Sequence, residues 1–443
     1  MLSPEVLSRV EAYVAEQFNH AKVPGLAVAV AVEGEILLAR AYGTADLASG
    51  TPATTETAFE IGSITKSMTA TAILQLRDRG LLDLDDPVRR HLPWFRVGHG
   101  KESDQITVRH LLCHASGLPT KLTYLVMEYP DSAEAAGRAL VKERLQSKPG
   151  AKFAYANIGY TLLGLIVEAL SGRPWAEYVQ HEILDPLGMA HSRADYRAGQ
   201  GLDMTTPYAW QVGVRRLIAG WLRHPSMAAA GSLTVCSAKD LVRYGAFHLG
   251  YGPRDLLSEA SLEEAHTGLV DAGPGVRYAL GWVDQRSKSG ERVVWHNGGT
   301  EGSTACLMLN PTQHVAVAVL VNSQSLATDR ICAGVLEILA GKAPGGAKGD
   351  PIRYVSLLPL FPALIGLVSL VRLALAVAGG TAPSLVWALA RAGAAWLLIA
   401  WLLPHLGQAP PVRLFGRWPA ELRIGAVLML LATTLWALYA LLV

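Results

Sequence analysis

"FEIGSITKSMTA" (residues 59–70) places a serine and a lysine three positions apart at the start of a predicted helix. Residues i and i+3 are neighbours on a helix face, so Ser63 and Lys66 meet. Two readings follow. Serine is a common helix cap and lysine a common solvated side chain. Alternatively, Ser63 is a nucleophile. A hydroxyl attacks only when a base removes its proton, and burial lowers a lysine's pKa enough for it to accept one. At a helix N-terminus the serine also gains the positive end of the dipole, and its own N–H can meet an oxyanion. Ser-x-x-Lys occurs once in the 443 residues. Alone it is a weak signal, and the rest of the sequence decides.

Two further motifs bear on that choice. "FAYANIGY" (153–160) holds the one Tyr-x-Asn of the sequence, Tyr155 and Asn157. A phenol beside a lysine can relay a proton between the serine and a leaving group, and the amide two residues on can hold a substrate carbonyl. The plainer reading makes Asn157 a helix cap and puts Tyr155 in the core. His296-Asn297-Gly298-Gly299 comes at the end of the predicted strand "ERVVW". Glycines on an edge strand let a substrate backbone approach, and the Gly299 N–H opposite that of Ser63 would complete an oxyanion hole. The same His-x-Gly pattern at His248, His266 and His405 has no strand before it and hairpin after it. His110 and His114 in "HLLCHASGLP" have the spacing of a zinc pair. With no His-Glu-x-x-His and no nearby carboxylate they read as helix-end packing, so neither a metal nor a cofactor is expected.

Around these motifs, an amphipathic helix near 4–20 leads into "GLAVAVAVEGEILLARAYG", a strand, a turn at Glu33-Gly34 and a second strand. From Ser63 to about residue 265 helices and long loops prevail. Strand patterns return in "VRYALGWVDQ", "ERVVWHNGG", "STACLML" and "HVAVAVLVN", with the turn "NPTQ" between the last two, and the helix "ATDRICAGVLEILAGK" closes the region. The expected fold of residues 1–341 is α+β: one antiparallel sheet assembled from both ends of the domain, flanked by helices, with a helical insertion. A net charge of +2 with 17% charged residues leaves no electrostatic footprint for nucleic acid. The four cysteines are scattered without a Cys-x-x-Cys and read as small core residues.

"KAPGGAKGDPIR" (342–353) reads as a Gly/Pro/Lys linker. Residues 354–443 are almost uncharged and contain three hydrophobic runs, 354–378, 384–403 and 424–443. A bilayer needs roughly 20 apolar residues per helix, so these read as three transmembrane helices of a multi-pass membrane domain, with the lipid bilayer as partner. Arg372 and Arg391 fall inside the runs and snorkel or face a neighbouring helix. No secretory signal is visible at the N-terminus. Lys342, Lys348 and Arg353 precede the first run, and Arg413, Arg417 and Arg423 precede the third. By the positive-inside rule these charges place the first domain in the cytoplasm.

Ser63-x-x-Lys66, Tyr155-x-Asn157 and His296-x-Gly298, in that order, resemble the serine hydrolases of the beta-lactamase and penicillin-binding-protein superfamily, in particular the class C-like branch. "ITVRHLLCHASGLP", "PGAKFAYANIGYTLLGLIVEALSG" and "DPLGM" are similar to its connecting segments. The resemblance implies Ser63 as acyl-accepting nucleophile, Lys66 as its proton partner and Tyr155 as second base and leaving-group acid. It also implies Asn157 and the His296–Gly298–Gly299 strand as the substrate-binding side. His296 stands where lactamases usually carry a lysine, which argues against antibiotic hydrolysis as the main role, since a neutral histidine holds a carboxylate less firmly. A hydrolase domain followed by membrane helices resembles the prodrug-activating D-amino-peptidases, in which the position of Glu60 would pair with a free amine; a structural role for Glu60 stays equally open. The expected activity is an acyl-enzyme peptidase or amidase on small peptides with D-residues. The alternatives are a carboxylesterase with the same residues and a receptor that only binds ligand. The resemblance places the domain outside the cytoplasm, against the charges, and the expectation follows the resemblance.

Overall fold

The computed structural model describes residues 3–98, 101–198, 201–211, 214–217, 224–287 and 290–352. The three hydrophobic runs of 354–443, with Arg372, Arg391 and His405, lie outside the described residues. Among the described residues no helix is long and apolar enough to cross a membrane. The molecule divides into two compact units, Met1–Ala209 with Leu217–Asp350, and Trp210–Arg216 with Pro351–Val443. The elements that follow belong to the first.

Its strands are β1 (Gly25–Val32), β2 (Glu35–Asp46), β3 (Thr51–Pro52), β4 (Phe59–Glu60), β5 (Val235–Cys236), β6 (Val270–Gly273), β7 (Val276–Tyr278), β8 (Val283–Arg286), β9 (Arg292–Gly299), β10 (Thr304–Asn310) and β11 (Val315–Val321). The principal helices are α1 (Pro4–Ala21), α2 (Thr65–Asp78), α3 (Val108–Leu112), α4 (Asn157–Ser171), α5 (Ala238–His248), α6 (Glu259–His266) and α7 (Ala327–Leu339). Among the described residues nine strands form one antiparallel sheet in the order β3-β2-β1-β11-β10-β9-β8-β7-β6. The first and last strands of the domain thus pair inside the sheet, third and fourth in its order, as the sequence predicts for a sheet built from both ends.

The reason is legible in the alternation of β1, "GLAVAVAV", and β11, "VAVAVLV". Their register sets Val28 opposite Val319 and Val30 opposite Val317, with Ala29 opposite Ala318. The valine face joins Val10 and Val14 of α1 and Ile331 and Val335 of α7 in one core. Each such side chain, fully buried, contributes roughly 1.5–3 kcal/mol. The alanine face leaves room for α5 to approach. A Cβ on Gly245 would come within 2.9 Å of Leu307 and 3.1 Å of Ala316. At the β1–β2 turn both Glu33 (φ +49°) and Gly34 (φ +86°) are left-handed, the pattern of a tight turn that matches strand twist.

Helix α2 is buried on every side from Thr65 to Leu76. Such a helix must satisfy its polar groups internally. Ser67 donates to Ile64 O, Thr69 to Ala229 O, and Gln75 to Glu182 O and Leu256 O. It packs against α4 of the helical insertion, which brings Lys66, in its first turn, to the meeting line of insertion and sheet. All four cysteines are buried and free, in keeping with a core role. Residues 342–350 form neither helix nor strand, yet they are tied to the domain. Lys342 pairs with Glu291 at 2.9 Å, Arg330 donates to Lys348 O, and the Asp350 carboxylate accepts from Ser325 and the Leu326 N–H.

Candidate active site

Ser63 sits in a 3₁₀ turn, Gly62–Ile64, that runs into α2. The N-cap positions of the turn and of α2 belong to Ile61 and Ile64, so Ser63 caps neither and the capping reading of the motif fails. Instead two donors converge on its oxygen. Lys66 Nζ lies 2.9 Å from Ser63 Oγ and the Tyr155 hydroxyl 2.7 Å from it. The plain reading of Tyr155 as a core residue fails for the same reason.

Glycines make this turn possible. Gly62 is left-handed at φ +52°, and a Cβ there would lie 2.6 Å from Gly299 N. A Cβ on Gly298 would meet Ile61 O at 1.8 Å and Ser63 N at 2.8 Å. Gly298 is therefore required by the approach of the Ser63 turn to β9, not by a substrate backbone. At Gly299 the nearest atom to such a Cβ is Thr304 Cγ2 at 3.7 Å, ordinary contact. The motif lies within β9 rather than beyond a strand end. Although β9 is an interior strand, its pairing with β8 stops at Trp295, so residues 296–299 pair only with β10. The backbone of the Ser63 turn and that of β9 at Gly298–Gly299 are therefore in close contact.

Lys66 is fully buried, and its Nζ also donates to Ala230 O at 2.6 Å. Burial drives its pKa well below the ordinary lysine value. The same burial raises the Tyr155 phenol above its ordinary value, partly opposed by its bond to Ser63. The two groups are pushed in opposite senses: the amine toward its neutral, proton-accepting form and the phenol toward its protonated form.

His296 is held within the protein by both ring nitrogens. Its Nδ1 lies 2.5 Å from Asn297 O, a carbonyl, so Nδ1 carries the hydrogen. Nε2 then accepts from the Tyr278 hydroxyl at 2.9 Å. Both nitrogens are occupied within the protein and no donor is left for a substrate carboxylate. Burial, with the Lys66 charge next, pushes the ring down to about 3, so it is neutral at physiological pH. Glu60 accepts from Thr300 Oγ1 at 2.6 Å, and Thr300 in turn accepts from the Ser303 N–H in the β9–β10 turn. This geometry fits the structural alternative for Glu60. Asn157 opens α4 but does not cap it. Its Nδ2 reaches Thr123 Oγ1 at 3.4 Å, and its buried Oδ1 has no hydrogen-bond partner among the described residues. His110 completes a capping box with Thr107, as helix-end packing predicts, and no metal-ligating group of three or more exists among the described residues.

Sequence reasoning missed Tyr278, Tyr160 and Ala230. Tyr278 holds His296, the Tyr160 ring lies 5.6 Å from Lys66 Nζ, and Ala230 supplies a carbonyl. A lone tyrosine in "VRYALGW" or an alanine in "MAAAG" carries no local signal; only the sheet and the insertion bring them to the centre.

The family model described as Beta-lactamase matches residues 10–341. Protein flp of Staphylococcus aureus (strain COL) is 27% identical over 337 residues, covering 73% of this chain; the match spans only 64% of that relative's length. Among solved structures, the octameric penicillin-binding protein homologue from Pyrococcus abyssi is similar with a TM-score of 0.68 and 28% identity, over 79% of this chain and 80% of that one. A D-stereospecific amidohydrolase from Streptomyces sp. follows with a TM-score of 0.62 and 25% identity, over 76% and 98%. With the family model spanning the whole sheet and insertion, the chain belongs to the Beta-lactamase family of serine hydrolases.

Proposed function

We propose that this protein is a membrane-anchored acyl-enzyme hydrolase, with Ser63 as nucleophile, that cleaves amide bonds in small peptides carrying D-residues. The observation that carries the reading is the convergence of Lys66 and Tyr155 on one hydroxyl oxygen. The neutral Lys66 amine takes the Ser63 proton as Oγ attacks the carbonyl carbon. The Ser63 and Gly299 amides receive the oxyanion. On collapse the leaving amine takes the Tyr155 proton, and the Lys66 ammonium restores it. Water then attacks the ester on Ser63 by the reverse proton path, releasing the acid. Asn157 orients the substrate through its amide.

Two observations support the substrate class. The Streptomyces relative is described as a D-stereospecific amidohydrolase. A neutral His296 with both nitrogens engaged gives the site no cation for a penicillin carboxylate. In the test, the purified protein is offered p-nitroanilides of D-alanine and L-alanine, p-nitrophenyl acetate and benzylpenicillin, with Ser63→Ala as control. Preference for the D-amide, with an acyl mass adduct on Ser63, is the expected result. Turnover of the ester alone would identify a carboxylesterase, and an absence of turnover and adduct would favour a ligand-binding receptor.

The three hydrophobic runs support spans at 354–443, and the resemblance to extracytoplasmic hydrolases supports a catalytic domain outside the cytoplasm. Protease added to intact spheroplasts should then degrade the hydrolase domain. Its protection until lysis would put the domain in the cytoplasm, as Lys342, Lys348 and Arg353 would have it.

A further inference from the structure

His114 follows α3 in a left-handed backbone conformation, φ +56°, which non-glycine residues seldom adopt and which gathers at functional positions. From that position it grips the Tyr155 segment at two points. Its carbonyl accepts from the Ala154 N–H at 2.8 Å. Its ring Nδ1 accepts from the Ala156 N–H at 3.2 Å. The residue between those two amides is Tyr155. Because Nδ1 is an acceptor, the neutral ring carries its hydrogen on Nε2, a buried atom with no hydrogen-bond partner among the described residues. Leaving such a group unbonded costs free energy, so a core histidine chosen for stability alone would not be expected in this pose.

The ring is also a wall. Its centroid lies 4.3 Å from that of Tyr155, 4.7 Å from Tyr278 and 5.1 Å from Tyr160. Tyr278 is the partner of His296, and Tyr160 flanks Lys66. His114 therefore stands at the centre of an aromatic cluster whose members each touch a different part of the site. Apart from its N–H, which donates to Leu111 O at 3.3 Å, its hydrogen bonds go to the Tyr155 segment and none to Ser63.

We propose that His114 is the positioning residue of Tyr155: its carbonyl and Nδ1 fix the backbone on both sides of the tyrosine, and its ring sets the direction of the phenol toward Ser63 Oγ. The proposal rests on the reading of Tyr155 as the acid that protonates the leaving group. That role matters for an amine, which cannot leave unprotonated, and not for p-nitrophenolate, which can. His114 should therefore discriminate between leaving groups, whereas a residue that merely holds the fold would affect both substrates alike.

The test uses the full-length protein with a D-aminoacyl anilide and a p-nitrophenyl ester. His114→Gly accepts the left-handed φ but loses the ring and its acceptor. In single-turnover acylation the anilide rate is expected to fall about 10- to 100-fold, the cost of misplacing a catalytic group by about 1 Å, while the p-nitrophenol burst rate from the ester is retained; deacylation, in which Tyr155 also moves a proton, is common to both substrates and is not compared. His114→Asn tolerates the same φ and offers a carbonyl oxygen to Ala156, so it should recover part of the anilide rate. In the pair His114→Gly with Tyr155→Phe, the loss should equal that of Tyr155→Phe alone. Additive losses, or equal losses on both substrates, would overturn the proposal. Should the glycine variant not fold, judged by circular dichroism, an unchanged anilide-to-ester ratio in His114→Asn would overturn it as well. If Tyr155→Phe itself leaves the anilide rate intact, the underlying reading of Tyr155 fails first.

Discussion

Replacing Ser63 with alanine should reduce turnover of a D-aminoacyl amide by about 10⁴-fold or more and abolish any acyl adduct, because the Ser63 hydroxyl is the one on which Lys66 and Tyr155 converge. The fold should survive the change. Lys66 keeps its bond to Ala230 O, and the backbone around Gly62, Gly298 and Gly299 is untouched. The proposed oxyanion donors, the main-chain amides of Ser63 and Gly299, are untouched by the change, so a small residual rate above the uncatalysed reaction is expected. Steady-state kinetics and intact-protein mass spectrometry measure both effects. Turnover by Ser63→Ala at even a tenth of the wild-type rate would remove Ser63 from the mechanism.

Lys66→Met should be nearly as damaging to activity, costing about 10²- to 10⁴-fold as a lost general base, while changing stability in a pH-dependent way. The sign follows from burial. In the folded protein the Lys66 pKa lies well below 10.5, and in the unfolded protein it returns to about that value. Between the two, the unfolded state binds the extra proton, so wild-type stability rises with pH across this window. The slope is at most about 1.4 kcal/mol per pH unit. Methionine abolishes this dependence. Relative to the variant, the wild type should gain thermal stability as pH climbs toward 10.5, and a difference in melting temperature that stays constant on that approach would contradict a lowered pKa of the buried amine. Wild-type activity should rise through the same lowered pKa. It should show no alkaline fall below pH 10.0, because burial holds the Tyr155 phenol above that value.

Local sequence carried some of these facts and not others. The valine–alanine alternation of β1 and β11 has a period of two, which matches the pleat, so the two-sided burial of the central strands could be read directly. The Glu33-Gly34 turn, the short loop after Asn310 and the closing helix α7 were likewise written in residues adjacent along the sequence. The spacing of Ser63 and Lys66, three residues apart across the 3₁₀ turn and the first turn of α2, was enough to bring them together.

Tyr155 is different, since 92 residues separate it from Ser63. Its type and its Asn157 companion were visible in the sequence, but its contact with the nucleophile arises only when α4 packs on α2. His296 shows the limit most clearly. Sequence position set it toward the substrate, yet Tyr278, from a neighbouring part of the sheet, claims one ring nitrogen and the adjacent Asn297 carbonyl claims the other. Gly298 gains a close-packing contact with Ile61 in the same way, and Glu60 accepts from Thr300, in keeping with the structural alternative that its sequence position left open.

The sequence by itself therefore determined which residue types were present, the period of each element and the motif order that points to the family. The tertiary structure alone decided which hydroxyl is addressed, which groups hold or lose their protons, and which polar atoms remain for a substrate. The physical reason is that periodicity is a property of neighbouring residues, whereas desolvation and hydrogen-bond partnership depend on what distant segments place around a group once the polypeptide has closed on itself.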